Sequence, residues 1–131
     1  MALKIDHLAI WTTDLEGMKD FYVKYFDLTS GNRYHNPAKG FTSYFLSFKN
    51  ANTRIELMHR EDMIRDRAGA PRTAGFAHFA ISVGSKEGVN KLTDRLRNDG
   101  FRIEGEPRTT GDGYYESVVL DPEGNWIEIT I

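Results

Sequence analysis

The stretch Ile5–Ile10, IDHLAI, returns later in the chain as Phe76–Ile81, FAHFAI, with a histidine at the same place in each copy. A second string, Arg54–Leu57 (RIEL), returns at nearly the same interval as Trp126–Ile129 (WIEI), with a shared glutamate. Apolar and β-branched residues dominate these strings, which is typical of strands. The chain therefore contains two copies of one module, and each copy carries one histidine and one glutamate.

The segments between these strings predict the same order of elements in both modules. In the first, a strand at 4–11 precedes a helix that starts after Thr13-Asp14, an N-cap candidate, and three strands follow near 29–34, 41–48 and 53–58. In the second, a strand at 76–83 precedes a helix between Ser85 and Asn98-Asp99-Gly100, and three strands follow at 101–106, 114–120 and 125–131. The pattern is βαβββ, twice, and it predicts an α+β fold.

The length of 131 residues fits one domain built from two small modules. We assign residues 1–59 to the first module, the polar segment 60–74 to a linker and residues 75–131 to the second module. A net charge of −2 gives no reason to expect nucleic acid or an anionic membrane as a partner. The chain has no cysteine, no apolar run long enough to span a membrane and no signal-like N-terminus, so we expect a cytoplasmic protein.

The alternation of side chains along a strand places the repeated residues on one face of each sheet. His7 shares a face with Ala9, whereas Leu8 and Ile10 point to the other face. Glu56, His78 and Glu128 are likewise opposite the aliphatic residues of their strands. We therefore predict that the aliphatic faces pack on the helices and that the four polar residues lie on the reverse, concave face.

The residue types at these four positions suit a divalent metal. A carboxylate on the concave face of a sheet needs a partner charge or a metal ion, and any one such residue alone is more often structural. His7, Glu56, His78 and Glu128 together carry two negative charges, which one divalent cation neutralises. Imidazole and carboxylate suit Zn, Ni, Co, Mn or Fe(II). Four protein ligands leave coordination positions open, as catalytic sites require.

These motifs resemble the glyoxalase I/bleomycin-resistance/dioxygenase group, the vicinal oxygen chelate proteins. The resemblance covers nearly the whole chain. It rests on IDHLAI, on the helix segment Met18–Tyr22, on RIEL, on Gly75–Ile81 and above all on Leu120–Ile129, LDPEGNWIEI. It implies paired βαβββ modules that form a cupped mixed sheet around a metal, with the cup completed in a homodimer, so that the ligands come from one chain or from two.

A His/Glu/His/Glu set is most similar to that of glyoxalase I, which isomerises the hemithioacetal of a 2-oxoaldehyde through a metal-bound enediolate. The resemblance implies that a glutamate moves the proton, with Glu128 the favoured base and Glu56 the alternative. Other members of the group keep further readings open: a fosfomycin-resistance-like thiol transferase, an epimerase, a dioxygenase or a non-catalytic drug-binding protein.

The positions around the expected substrate differ from those of glyoxalase I. Trp11 replaces an arginine and Arg60 replaces an asparagine, so a thiol cosubstrate fits the resemblance but glutathione does not fit these residues. Trp11 and Tyr114 either line the pocket or fill the cup. Arg60 either reaches a substrate carboxylate or lies solvated in the linker. The expected ligand is in every case a small molecule.

Overall fold

The computed structural model describes residues 1–64 and 74–131, and within them the chain forms two compact units, Met1–Arg67 and Ala68–Ile131. Most of the predicted linker, residues 65–73, lies outside the described residues. In the part of the chain that is described, no helix is long and apolar enough to span a membrane.

The first unit contains one helix and a mixed sheet. Its elements are β1 (His7–Trp11), α1 (Leu15–Phe26), β2 (Thr29–Ser30), β3 (Tyr34–Asn36), β4 (Phe41–Ser47) and β5 (Arg54–Arg60). The strand order is β1-β5-β4-β2, and β3 also pairs with β4. Strands β1 and β5 are parallel and the other pairs are antiparallel.

The second unit repeats this arrangement. Its elements are β6 (His78–Ser82), α2 (Lys86–Asn98), β7 (Ile103–Thr109), β8 (Tyr115–Leu120) and β9 (Trp126–Thr130). The strand order is β6-β9-β8-β7, with β6 and β9 parallel. In both units the strand that carries the histidine is therefore hydrogen-bonded to the strand that carries the glutamate.

The predicted α+β fold of two tandem modules is confirmed, with local differences. The short strand β3 was not predicted as a separate element; it pairs with the start of β4. Strand β5 continues to Arg60, which the sequence placed in the linker, because Arg60 still pairs with Phe41 of β4. Strand β7 starts and ends later than predicted, and its pairing with β8 contains two register shifts.

Each unit buries the aliphatic face of its sheet against its own helix. In the first unit, Leu46, Ile55 and Leu57 pack with Met18 and Tyr22 of α1 in a core that is almost inaccessible to solvent. In the second unit the corresponding core consists of Val89 and Leu96 of α2 together with Val119, Ile127 and Ile129. The strand-parity prediction is confirmed, and the faces opposite these cores carry the repeated histidines and glutamates.

The two helices begin with equivalent caps. The Asp14 side chain accepts a hydrogen bond from the Gly17 backbone N–H at 3.0 Å, and the Ser85 hydroxyl accepts one from Gly88 at 3.0 Å. These bonds satisfy backbone donors that the first turn of a helix leaves free. A Cβ atom at position 17 would lie 2.3 Å from Asp14 Oδ2, so a larger residue there would require the capping carboxylate to shift.

Candidate metal centre and adjoining groove

The first unit brings His7 and Glu56 together. The parallel register sets Ala9 opposite Glu56, so His7 lies two residues away on the same face of the neighbouring strand. The methyl side chain of Ala9 leaves room for the two longer side chains, and His7 Nε2 lies 3.6 Å from Glu56 Oε1. The Glu56 side chain is only 15% exposed, which keeps its carboxylate close to the sheet.

The second unit repeats this pair at the equivalent positions. Ala80 lies opposite Glu128, and His78 Nε2 is 3.1 Å from Glu128 Oε1. The two histidine side chains have nearly equal exposure, 38% for His7 and 37% for His78. The repeat therefore preserves a pair of metal-type donors, one nitrogen and one oxygen, in each unit.

Asp6 orients the histidine of the first unit. Its Oδ2 atom lies 2.8 Å from His7 Nδ1 and 3.2 Å from Arg54 Nη2. The hydrogen bond from His7 and then that from Arg54 hold the pKa of Asp6 below its ordinary value. Because an ionised carboxylate only accepts hydrogen bonds, the proton of a neutral His7 ring must sit on Nδ1. Its Nε2 lone pair then faces Glu56 and is available to a metal.

The second unit has a different neighbour beside its pair. Ala77 stands where the first unit has Asp6, and the carboxylate near Glu128 comes instead from Glu116 on β8. Glu116 is 7% exposed, and its Oε2 atom has no hydrogen-bond partner among the described residues. Burial raises the pKa of Glu116 above its ordinary value, and the hydrogen bond that it shares with Glu128 raises it further.

A groove of about 420 Å³ adjoins the pair of the first unit. Phe45 lies opposite Glu56 in the β4–β5 register, and its ring meets the His7 ring edge-on at 5.2 Å between centroids. The described residues that line the groove come from the β2–β3 connection and from β3, β4 and β5: Gly31, Asn32, Tyr34, Phe41, Ser43, Phe45 and Glu56. One candidate metal ligand of the first unit thus forms part of the groove wall.

The sequence profile of the Glyoxalase/Bleomycin resistance protein/Dioxygenase superfamily matches residues 4–129. The chain belongs to this superfamily. A similar curated sequence is the uncharacterized protein YqjT of Bacillus subtilis, which is 21% identical over 126 residues, 94% of each chain.

Two glyoxalase I structures are similar to this superfamily member. The enzyme from Zea mays superposes with a TM-score of 0.79 at 25% identity over 97% of this chain. The Leishmania major enzyme, described as trypanothione-dependent, superposes with a TM-score of 0.76 at 21% identity, covering 98% of this chain and 86% of its own. The present chain spans only 44% of the maize enzyme's length.

The three residues predicted to bind substrate lie outside the wall of the groove. Trp11 is half-exposed at the end of β1, and its ring meets that of Phe41 edge-on at 6.4 Å. Arg60 donates from Nε and Nη2 to the Asp62 carboxylate at 2.9 and 3.0 Å, a pairing that raises the pKa of Arg60. Tyr114 belongs to the second unit and is 59% exposed. Their substrate contacts stay predictions.

Sequence reasoning missed three features of these surroundings. Asp6 directly precedes a candidate ligand, and carboxylates are frequent partners of ligating histidines, so the adjacent pair was a usable signal. Glu116 shares strand parity with Val118, which lies opposite Glu128, and the same alternation argument applied to β8 would have found it. Phe45 lies directly opposite Glu56 in the first unit, and alternation along β4 would have placed it on the same face.

Proposed function

We propose that this protein is a metal-dependent lyase of the glyoxalase I type that isomerises an enolisable carbonyl substrate, such as the hemithioacetal of a 2-oxoaldehyde. The observation that carries the proposal is the repetition of one donor pair. Each unit presents a histidine nitrogen and a glutamate oxygen at equivalent register positions, on the sheet face away from its helix.

The donor pairs fit a divalent cation. Two ligands bound to one ion at about 2.1 Å, with an angle of roughly 90 to 110° between them, are themselves about 3.0 to 3.4 Å apart. The distances of 3.6 Å in the first unit and 3.1 Å in the second lie close to that range. Within residues 1–64 and 74–131, no three His, Cys, Asp or Glu side chains form a metal-binding group. We assign one ion to His7, Glu56, His78 and Glu128, with the ligands supplied by one chain or by two.

A cation held by these residues would act as a Lewis acid for the adjacent oxygens of the substrate. The protein supplies the proton transfer. A glutamate carboxylate removes the proton from the carbon that bears the sulfur and hydroxyl groups and returns it to the neighbouring carbonyl carbon. The hydroxyl proton passes to the former carbonyl oxygen, so the product is a 2-hydroxy thioester. No external oxidant or reductant is needed, because oxidation of one carbon balances reduction of the other.

We assign the proton transfer to Glu128, with Glu56 as the alternative. Glu56 forms part of the groove wall beside Phe45, a position suited to holding substrate and metal. Glu128 lies beside the buried carboxyl group of Glu116 rather than in the groove wall. A small-molecule substrate, a homodimeric assembly and a cytoplasmic location belong to the same proposal; light scattering on purified protein tests the dimer.

The direct test is isomerisation of a 2-oxoaldehyde–thiol adduct before and after removal of metal. We expect chelation to abolish thioester formation and stoichiometric Zn, Ni, Co or Mn to restore it. The thiol should be varied, with a small neutral thiol beside glutathione, so that a poor cosubstrate is not mistaken for a missing activity. Full turnover by metal-free protein would refute the proposal.

The aromatic groove also supports a second candidate, a non-catalytic protein that sequesters an aromatic compound. This reading needs the groove but not the donor pairs. Binding of an aromatic compound that is equally tight with and without metal, together with no turnover of any adduct, would favour it over the lyase.

A further inference from the structure

The groove of the first unit has a size and position that point to a small ligand. Its volume of about 420 Å³ lies in the range of small-molecule sites, roughly 300 to 1,000 Å³. Glu56 contributes to its wall, and Phe45 contacts the His7 ring. A molecule in the groove would therefore extend from the candidate metal ligands along the sheet toward β3.

The wall of the groove is aromatic. Phe41 meets the Tyr34 ring at 6.1 Å with an interplanar angle of 61°, and it also meets the Trp11 ring, which lies outside the groove wall, at 6.4 Å and 87°. Both partners are about half exposed, with 56% for Tyr34 and 50% for Trp11. Aromatic pairs prefer these edge-to-face and offset arrangements, so the exposed ring surfaces can accept one further ring in the same geometry.

The charges around the groove disfavour an anionic group. Of the described residues that line it, only Glu56 carries a charge at neutral pH. The arginines next to groove residues in the chain or on β5 have carboxylate partners: Arg33 Nε lies 3.9 Å from Glu16, Arg54 donates to Asp6, and Arg60 donates to Asp62. An anionic group in the groove would therefore meet a carboxylate without gaining a free cation.

A cationic group is disfavoured for another reason. In the proposed function the charge of Glu56 is neutralised by a divalent ion, which would repel a second cation held a few ångströms away. The face of Phe45 is also occupied, because the Arg54 guanidinium lies 4.2 Å from its ring centroid. Because the wall is aromatic and the surrounding charges disfavour both anions and cations, a neutral aromatic ring is the ligand group that fits the groove.

We propose that the substrate carries a neutral aromatic substituent next to its reacting carbons and that the groove formed by Tyr34, Phe41 and Phe45 binds it. This inference rests on the proposed function for the reaction, but the binding of the ring can be measured without turnover.

Binding is tested on the metal-loaded protein with three probes that share one ring system: 2-naphthylmethanol, 2-naphthalenesulfonate and 2-naphthylmethylammonium. We expect the neutral probe to bind about tenfold more tightly than either charged probe in calorimetric titrations. Tyr34→Ala should weaken its binding about 2- to 10-fold, the range that aromatic pair energies convert to. Tyr115→Ala, which removes a tyrosine of the second unit whose hydroxyl donates to Asn90 of α2, is the matched control and should have no effect.

Phe41→Leu serves as a second variant in case Tyr34→Ala perturbs folding. It keeps an apolar side chain but removes an aromatic ring of the groove, so it should also weaken binding of the neutral probe. Tightest binding of the sulfonate or of the ammonium probe, or neutral binding that neither variant changes, would overturn the inference. Kinetics separate it from the proposed function. If the protein turns over both adducts but the KM for phenylglyoxal adducts is not lower than that for methylglyoxal adducts, only the inference about the ring is contradicted. If the ring binds but no adduct is turned over, only the proposed lyase activity is contradicted.

Discussion

The two units share one backbone plan but differ in what surrounds the donor pair. In both, a histidine on the first strand and a glutamate on the last strand face each other across a parallel pairing, with an alanine opposite the glutamate. The first unit adds Asp6 behind its histidine and an aromatic groove beside its glutamate. The second unit has neither Asp6 nor Phe45 at the equivalent positions, and a buried carboxyl group, Glu116, lies near Glu128.

This difference separates what the repeat preserves from what each copy has changed. The donor pair depends on the register of two adjacent strands, so it survives duplication together with the fold. The neighbours of the pair sit on other strands or just before the histidine strand, where substitutions leave the register intact. Under the proposed function, the two pairs have equivalent roles toward the metal, the groove of the first unit binds the substrate, and Glu128 of the second unit moves the proton.

The largest effect is expected from the two glutamates. Glu128→Gln should lower kcat about 100- to 10,000-fold, the range of a lost general acid–base group. Glu56→Gln should mainly weaken the binding of metal and substrate. At saturation its kcat should therefore be higher than that of Glu128→Gln. Steady-state kinetics at saturating metal measure both. Glu87→Gln, an exposed carboxylate on α2, is the control. An intact kcat in Glu128→Gln with a collapsed kcat in Glu56→Gln would reverse the assignment.

Core truncations at matched positions should affect the two units alike. Leu57 on β5 and Ile129 on β9 are fully buried on the helix-facing side of their sheets, one residue beyond the glutamate. Leu57→Ala and Ile129→Ala should each lower the free energy of unfolding by roughly 2 to 5 kcal/mol, measured by urea denaturation. A loss in one variant and none in the other would show that the two copies are not energetically equivalent.

Asp6 provides a direct test of the difference between the histidines. Asp6→Ala should weaken metal binding about 10- to 100-fold, the usual effect of losing the partner of a ligating histidine. Asp6→Asn should retain part of the affinity, because its amide oxygen still accepts from Nδ1. Ala77→Leu changes the equivalent position of the second unit without adding or removing a carboxylate, so it should leave affinity unchanged.

The same variants have a readout that does not depend on metal. Nitrogen-15 chemical shifts of the metal-free protein should show the His7 proton on Nδ1 in the wild type and a mixture of tautomers in Asp6→Ala. An unchanged His7 tautomer in Asp6→Ala would contradict the orienting role of Asp6.

The helix caps should give the smallest effects. Asp14→Ala and Ser85→Ala each remove one hydrogen bond to the first turn of a helix. Each should cost about 1 kcal/mol of stability, seen as a shift in the urea midpoint at constant slope. A change in slope would indicate that the cap alters the extent of unfolding rather than its free energy.

The sequence alone was sufficient for the modules and the donor pairs because both depend on local periodicity. Strand parity separated His7 from Leu8 and Ile10 without any knowledge of tertiary contacts. The aromatic groove could not be derived in this way, because Tyr34, Phe41 and Phe45 meet only through the pairing of β3, β4 and β5. Arg60 was misplaced for a similar reason, since its strand pairing with Phe41 outweighs the polar composition of the segment that follows.

In the proposed function the two donor pairs bind one metal ion. Equilibrium dialysis of metal-free protein against Zn²⁺, followed by metal analysis, measures the stoichiometry directly. We predict one tightly bound ion per chain, and a large loss of affinity in both His7→Ala and His78→Ala. Two ions per chain, each lost in only one of these variants, would contradict a shared site. An affinity for Zn²⁺ equal to that of the wild type in either variant would also contradict it.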